Sequence, residues 1–276
     1  MNRNRALRYV GSKIRIAPRI AEQLDAVTGD CLVDVFGGSG AVTMNSGYDK
    51  RVYNDLDGDV VNFFKVLSDD SQRRNLLCSL KRTPMSRGLF ESYDEVYVKG
   101  GRSFSKIKDV VERAKALFYR SSFAFGGKVK NGGFGATLSD RIGCKEIKRY
   151  YTVLRELARL GEFWKGTVIE CLDFRLLIRA YQQRPGVIFY CDPPYFGTED
   201  YYSRKFGEDE HMDLHDALTF SPAGAVVSYY DCEFVRDTYL ESEGWRYVEI
   251  EATKNSMGRS KKKAKVTELL ICKKRR

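Results

Sequence analysis

The chain has 276 residues, 43% hydrophobic and 30% charged, which excludes a disordered polymer and is long enough for one α/β domain with an insertion or for two modest domains. No apolar run approaches the roughly 18 residues that span a bilayer, and MNRNRALRYVGSK turns polar at once, so a soluble, cytoplasmic protein is expected. The net charge of +10 is concentrated: residues 81–149 hold 16 Lys/Arg against 7 Asp/Glu and residues 254–276 hold 10 against 1, which reads either as solvated surface or as an electrostatic footprint for nucleic acid.

In chain order, a helix is expected over 12–27, then a strand, CLVDVF, over 31–36 that runs into the glycine turn FGGSG. A second strand, RVYND, covers 51–55, and a helix covers 58–69. The alternation then breaks. Between 70 and 144 one helix stands out, SKIKDVVERAKALFYRSS, followed by the glycine-rich FAFGGKVKNGGFGATLSD, so this stretch reads as a basic, aromatic-bearing subdomain inserted between two parts of a catalytic domain, 1–69 and 145–276. Beyond it strands at 167–173, 187–192 and 225–231 alternate with helices at 145–160, 174–182, 209–219 and 232–242, and strands at 245–252 and 266–273 form an expected antiparallel edge pair. Most strands are continuous apolar runs, as in sheets covered on both faces, and the predicted class is α/β with a doubly wound, mostly parallel sheet and a small, largely helical insert.

The seven cysteines lie at least twenty residues apart, which gives no CxxC spacing. His211 and His215 are four apart, but Met212 stands where HExxH needs its Glu, so no metal is expected.

Two stretches carry chemistry. The apolar strand CLVDVF, with Asp34 inside it and Phe36 at its end, runs into Gly37, Gly38, Ser39 and Gly40, and Asp55 follows Asp34 by 21 residues, the arrangement of a βαβ unit whose acid receives ribose hydroxyls. The turn is not GxGxxG and no Walker lysine follows it, so a ligand with adenosine but no phosphate fits better, S-adenosylmethionine above all, its sulfonium favoured by acids. Asp55 could instead cap the helix at 58–69.

The second stretch is YCDPPYFG, residues 190–197. Pro193 and Pro194 stiffen the tip of a strand, so that Asp192 and the Pro193 carbonyl present two acceptors at fixed separation to the two hydrogens of an exocyclic amine. Pulling on both turns the nitrogen lone pair toward an electrophile, and Tyr195 offers a face for stacking a base that has left its duplex. The alternative is a proline turn that merely ends a buried strand.

LRYVGSK, DVFGGSGAV, YNDLDGDVVNFFKVL, CDPPYFG, EDEHMDLHDAL and VTELLICK, in this order and with a large insert between the glycine turn and DPPY, resemble the Dam-type adenine-N6 DNA methyltransferases, in particular their compact phage and restriction-modification forms, over nearly the whole chain. The resemblance implies a Rossmann-like methyltransferase fold, S-adenosylmethionine as cofactor, and site-specific methylation of double-stranded DNA by base flipping, with no membrane and no metal, by a monomer or weak dimer. By the same resemblance Tyr9 and Lys13 close over the cofactor, Asp55 holds its ribose, Asp173 and Phe174 lie near its adenine, and Asp192 serves both cofactor and target amine. The insert departs from the better-known members: FYRSSFAFGGKVKNGGFGAT stands where they carry a longer recognition region, so the recognition sequence stays open. Arg120 and Asn131 are candidate base readers, and Lys128, Lys130, Arg259, Lys261, Lys262 and Lys263 candidate phosphate contacts. Cytosine-N4 or RNA methylation, a catalytically inactive DNA-binding protein and a generic nucleotide-binding domain are the competing readings.

Overall fold

A computed structural model describes residues 4, 6–8, 11–124, 133–135, 145–196, 206–240, 242–253 and 265–275. The chain divides into two compact units: residues 1–14, 38–44 and 55–171 form the first, and 15–37, 45–54 and 172–276 the second.

The second unit is built on a twisted sheet. Its strands are β1 (Cys31–Asp34), β2 (Lys50–Asn54), β4 (Val187–Cys191), β5 (Gly224–Tyr230), β6 (Trp245–Thr253) and β7 (Lys265–Lys273), ordered β2-β1-β4-β5-β7-β6. β1, β2, β4 and β5 are parallel, whereas β7 runs antiparallel to both β5 and β6. The expected antiparallel pair at the edge is therefore present. Alternate residues of these strands point to opposite faces. Val33, Val187, Phe189, Val227 and Ile271 meet Leu177 and Ile178 of α9 (Phe174–Tyr181) and Leu214 and Leu218 of α10 (Glu208–Phe220) in one buried cluster. On the other face α1 (Ala17–Val27) packs against β4, β5 and β7, burying Ile20 and Leu24. Covering both faces explains why the central strands read as unbroken apolar runs. The predicted helix at 232–242 is a short α turn, Glu233–Val235, continued by a π turn, Arg236–Leu240.

The first unit is mainly helical. It holds α2 (Ala41–Asn45) except for its last residue, then α3 (Gly58–Ser68), α4 (Asp70–Arg82), α5 (Arg87–Lys99), α6 (Val110–Phe123), α7 (Lys145–Arg159), α8 (Gly161–Lys165) and the short strand β3 (Thr167–Glu170). The one helix predicted in the insert starts at Val110, five residues late, because Asp109 takes the N-cap and accepts the Glu112 amide at 2.7 Å. α4 and α5 were not expected. Aromatic side chains fill this unit: Phe64 stacks on Trp164 with centroids 3.9 Å apart, Phe63 lies parallel to Phe118 at 6.0 Å, and Phe123 stacks on Tyr150 at 5.0 Å. The aromatics that suggested a binding surface are largely a core. Among the described residues no helix is long and apolar enough to cross a membrane.

Candidate active site

β1 and β4 are neighbours, with Asp34 opposite Tyr190. Two residues beyond each lie Phe36 and Asp192, so the two motifs of the second unit leave the sheet at the same carboxyl edge, where open α/β sheets bind ligands. Asp34 is itself buried at the end of β1. The Phe36 ring joins Phe174 at 5.8 Å and Phe206 at 5.6 Å in an aromatic cluster. Asp173 caps α9 by accepting the Arg175 amide at 2.9 Å and also pairs with the Arg175 guanidinium at 3.3 Å. Its carboxylate is thus engaged in ending the loop that sets Phe174 against Phe36.

Asp192 is half-buried, Pro193 buried and Pro194 half-buried. Burial pushes the phenols of Tyr190 and Tyr195 well above their usual range, and the nearby Asp192 charge pushes them further. Tyr195 is placed differently from an open stacking platform. Only 6% of it is exposed, its hydroxyl donates to Glu268 Oε1 at 2.7 Å, and Tyr230 meets its ring edge-on at 4.4 Å. Phe196, next in sequence, is more open and stacks on Phe234 with centroids 4.2 Å apart and planes 8° from parallel.

The turn after β1 is pinned within each unit. Gly37 donates to the Asn54 carbonyl at 2.7 Å, and a Cβ on Gly37 would lie 2.2 Å from the buried Tyr53 ring, so no larger residue fits there. In the first unit Gly38, at φ +49°, donates to Asp55 Oδ2 at 2.7 Å, while Asp57 donates its amide to Asp55 Oδ1 at 2.8 Å. Asp55 is therefore not the cap of α3; Asp57 is, accepting the Asp59 amide at 2.9 Å. Burial pushes the Asp55 carboxyl up against the opposing pull of the amides of Asp57, Gly38 and Leu56. Asp57 is pushed up to about 6 by burial and by the charges of Asp55 and Asp59. Asp59 has a cationic partner, Arg113 at 2.6 Å. Asp55 and Asp57 form no salt bridge among the described residues; the Asp55 carboxylate is met by the backbone amides of Gly38 and Asp57.

Ser39 Oγ donates to Ser12 Oγ at 2.9 Å, which ties the GSK segment to the glycine turn within the first unit, and Lys13 opens a short 3-10 turn, its Nζ donating to the Gly11 carbonyl at 3.4 Å. Gly40 is left-handed at φ +66°, and a Cβ there would lie 2.9 Å from the Trp164 ring. Tyr9, Lys128, Lys130, Asn131, Arg259, Lys261, Lys262 and Lys263 lie outside the described residues.

Arg120, expected as a base reader, is instead 1% exposed: its Nε and Nη2 donate to Asp94 and its guanidinium lies 4.2 Å from the Tyr97 ring centre. A guanidinium so enclosed supports the fold of the insert and does not present a fork to a base edge. In the same unit a concavity of about 500 Å³ is lined by Lys81, Ile147, Lys148, Tyr151, Thr152, Leu154 and Arg155, and its three cations form no salt bridge among the described residues. Sequence reading also missed Glu268, Ser12 and Phe206. Glu268 had a visible signal, as an acid inside the apolar run VTELLICK, and Ser12 lies within the motif LRYVGSK, whereas Phe206 had none.

A family profile described as D12 class N6 adenine-specific DNA methyltransferase matches residues 9–255. The chain is 26% identical to a DNA adenine methylase of Serratia marcescens over 98% of both chains, and 22% identical to that of Haemophilus influenzae over 96% of this chain and 91% of the other. It is 27% identical to the DNA N-6-adenine-methyltransferase of Escherichia phage P1 over 85% of this chain and 31% of that longer protein.

Proposed function

The chain belongs to the D12 class N6 adenine-specific DNA methyltransferase family, an adenine-methylating enzyme by that membership, and on this premise we propose how its residues divide the work. The cofactor is S-adenosylmethionine, which when bound supplies an electrophilic methyl group. The fit rests on chemistry: Asp55 and Asp57 offer carboxylates to a cationic, hydroxyl-bearing ligand, Gly37 and Gly38 hold a side-chain-free turn, and Phe36 with Phe174 offers aromatic surface for an adenine ring. Asp55 receives the ribose hydroxyls. Tyr9 and Lys13 belong to the segment that covers the cofactor, and Asp173 acts by fixing the position of Phe174.

The target adenine leaves the duplex and presents its amine to Asp192 and to the Pro193 carbonyl. Both groups accept from the amine, so the lone pair is freed from the ring just as positive charge develops on nitrogen, and the interaction with Asp192 grows stronger in the transition state than before it. With S-adenosylmethionine bound as methyl donor, Asp192 and the Pro193 carbonyl would hold the amine with its lone pair toward the donor, and Asp192 would take the surplus amine proton along its hydrogen bond. Phosphate contacts fall to Lys128, Lys130, Arg259, Lys261, Lys262 and Lys263, and to the cation-lined concavity of Lys81, Lys148 and Arg155.

The observation that carries this reading is the shared edge, with Phe36 and Asp192 two residues past a directly paired Asp34 and Tyr190. The test is methylation of defined duplexes followed by digestion to nucleosides. Wild-type protein should yield N6-methyladenine, and Asp192→Ala should lose at least a thousandfold in rate while still retaining DNA. Label in cytosine, or an Asp192→Ala rate near wild type, overturns the assignment.

A further inference from the structure

Glu268 sits on β7, opposite Tyr230 in the β5–β7 register, and is 4% exposed. The four residues after it, Leu269 to Cys272, are wholly buried, so the strand carries one carboxylate at the mouth of an apolar layer. Burying a carboxylate is costly unless it is hydrogen-bonded, and the Tyr195 hydroxyl donates to it at 2.7 Å. Nearby, the Asp231 amide donates to the Thr267 carbonyl at 3.1 Å, fixing β7 to the end of β5 just where Glu268 projects.

The geometry restrains the Tyr195 ring from two sides. Its hydroxyl oxygen lies on the axis about which the ring turns, so a bond to that oxygen fixes where the axis points and leaves only the ring plane free. Tyr230, edge-on at 4.4 Å and 77° between planes, together with Tyr229 at 5.8 Å, then limits the plane. Register pairing delivers both restraints from adjacent strands: Tyr230 and Glu268 are partners across the same rung.

We propose that Glu268 is a positioning residue for methyl transfer: by anchoring the buried Tyr195 through its hydroxyl it fixes the DPPY turn, and with it the Asp192 carboxylate and the Pro193 carbonyl, in the geometry in which the target amine is received. The inference rests on the reading of DPPY given above. Glu268 touches neither base nor cofactor; it acts through Tyr195, and its effect is to order the turn before the base arrives, so that less of the binding interaction is spent on ordering it afterwards. Small misplacements of a reacting group can lower rate by about a hundredfold, which sets the scale of the effect.

The experiment is a cycle of Glu268→Leu, Tyr195→Phe and the double variant, with Glu268→Gln as the conservative replacement, since Gln keeps an acceptor oxygen of the same reach. Single-turnover methylation and the fluorescence of 2-aminopurine at the target position are read in each, with melting temperature measured so that rates refer to folded protein. Glu268→Leu and Tyr195→Phe should each lower the methylation rate on the order of 10- to 100-fold. The double variant should be no slower than the slower single, Glu268→Gln should restore most of the rate, and the 2-aminopurine signal should change in Glu268→Leu but not in Glu268→Gln. A wild-type rate and signal in folded Glu268→Leu overturn the inference, as do losses that multiply in the double variant. If Glu268→Leu does not fold, Glu268→Gln and Tyr195→Phe still decide: a large loss in the first with none in the second overturns it. A wild-type protein that makes no N6-methyladenine fails at the earlier assignment, whereas active wild type with indifferent variants fails only here.

Discussion

Asp57 does two things at once, and they pull in opposite directions. Its side chain caps α3, which favours folding, while burial beside Asp55 and Asp59 pushes its carboxyl from 3.8 up to about 6. Between those two values the folded chain keeps a proton that the unfolded chain has released, so stability falls as pH rises through this window and the penalty is complete above about pH 6. Asn caps a helix as well as Asp does and carries no charge. Asp57→Asn should therefore melt higher than wild type at pH 8, by a margin on the order of 1 kcal/mol once partial solvent contact is allowed for, and the margin should vanish near pH 4. Thermal unfolding of both proteins across pH 4–8 measures it, and a margin independent of pH would count against the account. At this scale spacing told only part: Asp55, 21 residues after Asp34 and read from that spacing as a ribose acceptor, accepts the Gly38 amide of the glycine turn, a contact that the spacing did not announce. The sequence offered Asp55 as the alternative cap of α3, whereas Asp57 takes that place, because Asp55, Asp57 and Asp59 are alike in residue type and only the local path of the chain selects Asp57.

The elements that were legible are those whose signal is continuous. The inner strands β1, β4, β5 and β7 show as apolar runs because helices cover both faces, and the ends of all six strands of the second unit agree with the observed bounds to within one or two residues. α4 and α5 were hidden for different reasons. α4, DSQRRNLLCSLKR, buries only Leu76 and Leu80, too little to give a stripe. α5 did carry a signal, a Ser86 cap followed by Phe90, Tyr93 and Tyr97 at helical spacing, but those rings also suit a binding surface. The end of α10 shows how an element can be stabilised by a residue that sequence assigns elsewhere. Lys273 falls in the basic tail, yet it is 3% exposed and its Nζ donates to the carbonyls of Leu218, Ser221 and Ala223, the groups left open where α10 stops. Lys273→Met fills similar space but leaves those carbonyls without donors, and should cost about 2–4 kcal/mol in urea unfolding with the slope unchanged. A loss below 0.5 kcal/mol would mean the carbonyls find other donors at little cost.

Over the whole molecule, a net charge of +10 draws the chain toward polyanions without saying where they bind. Arg120 and Lys273 both contribute to the basic segments and both are interior, so a count of Lys and Arg overstates the surface that phosphates can reach. Pairing removes more: Arg73 and Lys165 share Asp70, and Arg113 meets Asp59. Against that background Lys81, Lys148 and Arg155 are distinctive in facing one concavity with no acid in its lining. Each phosphate contact releases condensed counterions, and the logarithm of affinity falls with the logarithm of salt by about 0.9 per contact on duplex DNA. Replacing the three by Gln removes up to three contacts, so the salt slope of duplex binding should become shallower by roughly 2 to 3 while cofactor affinity is unchanged. Binding isotherms between 50 and 200 mM salt would show it directly, on a duplex held constant in length and sequence. The same slope for wild type and the triple variant, with affinity lowered or not, would mean these cations face solvent in the complex, leaving the phosphates to other basic segments of the chain.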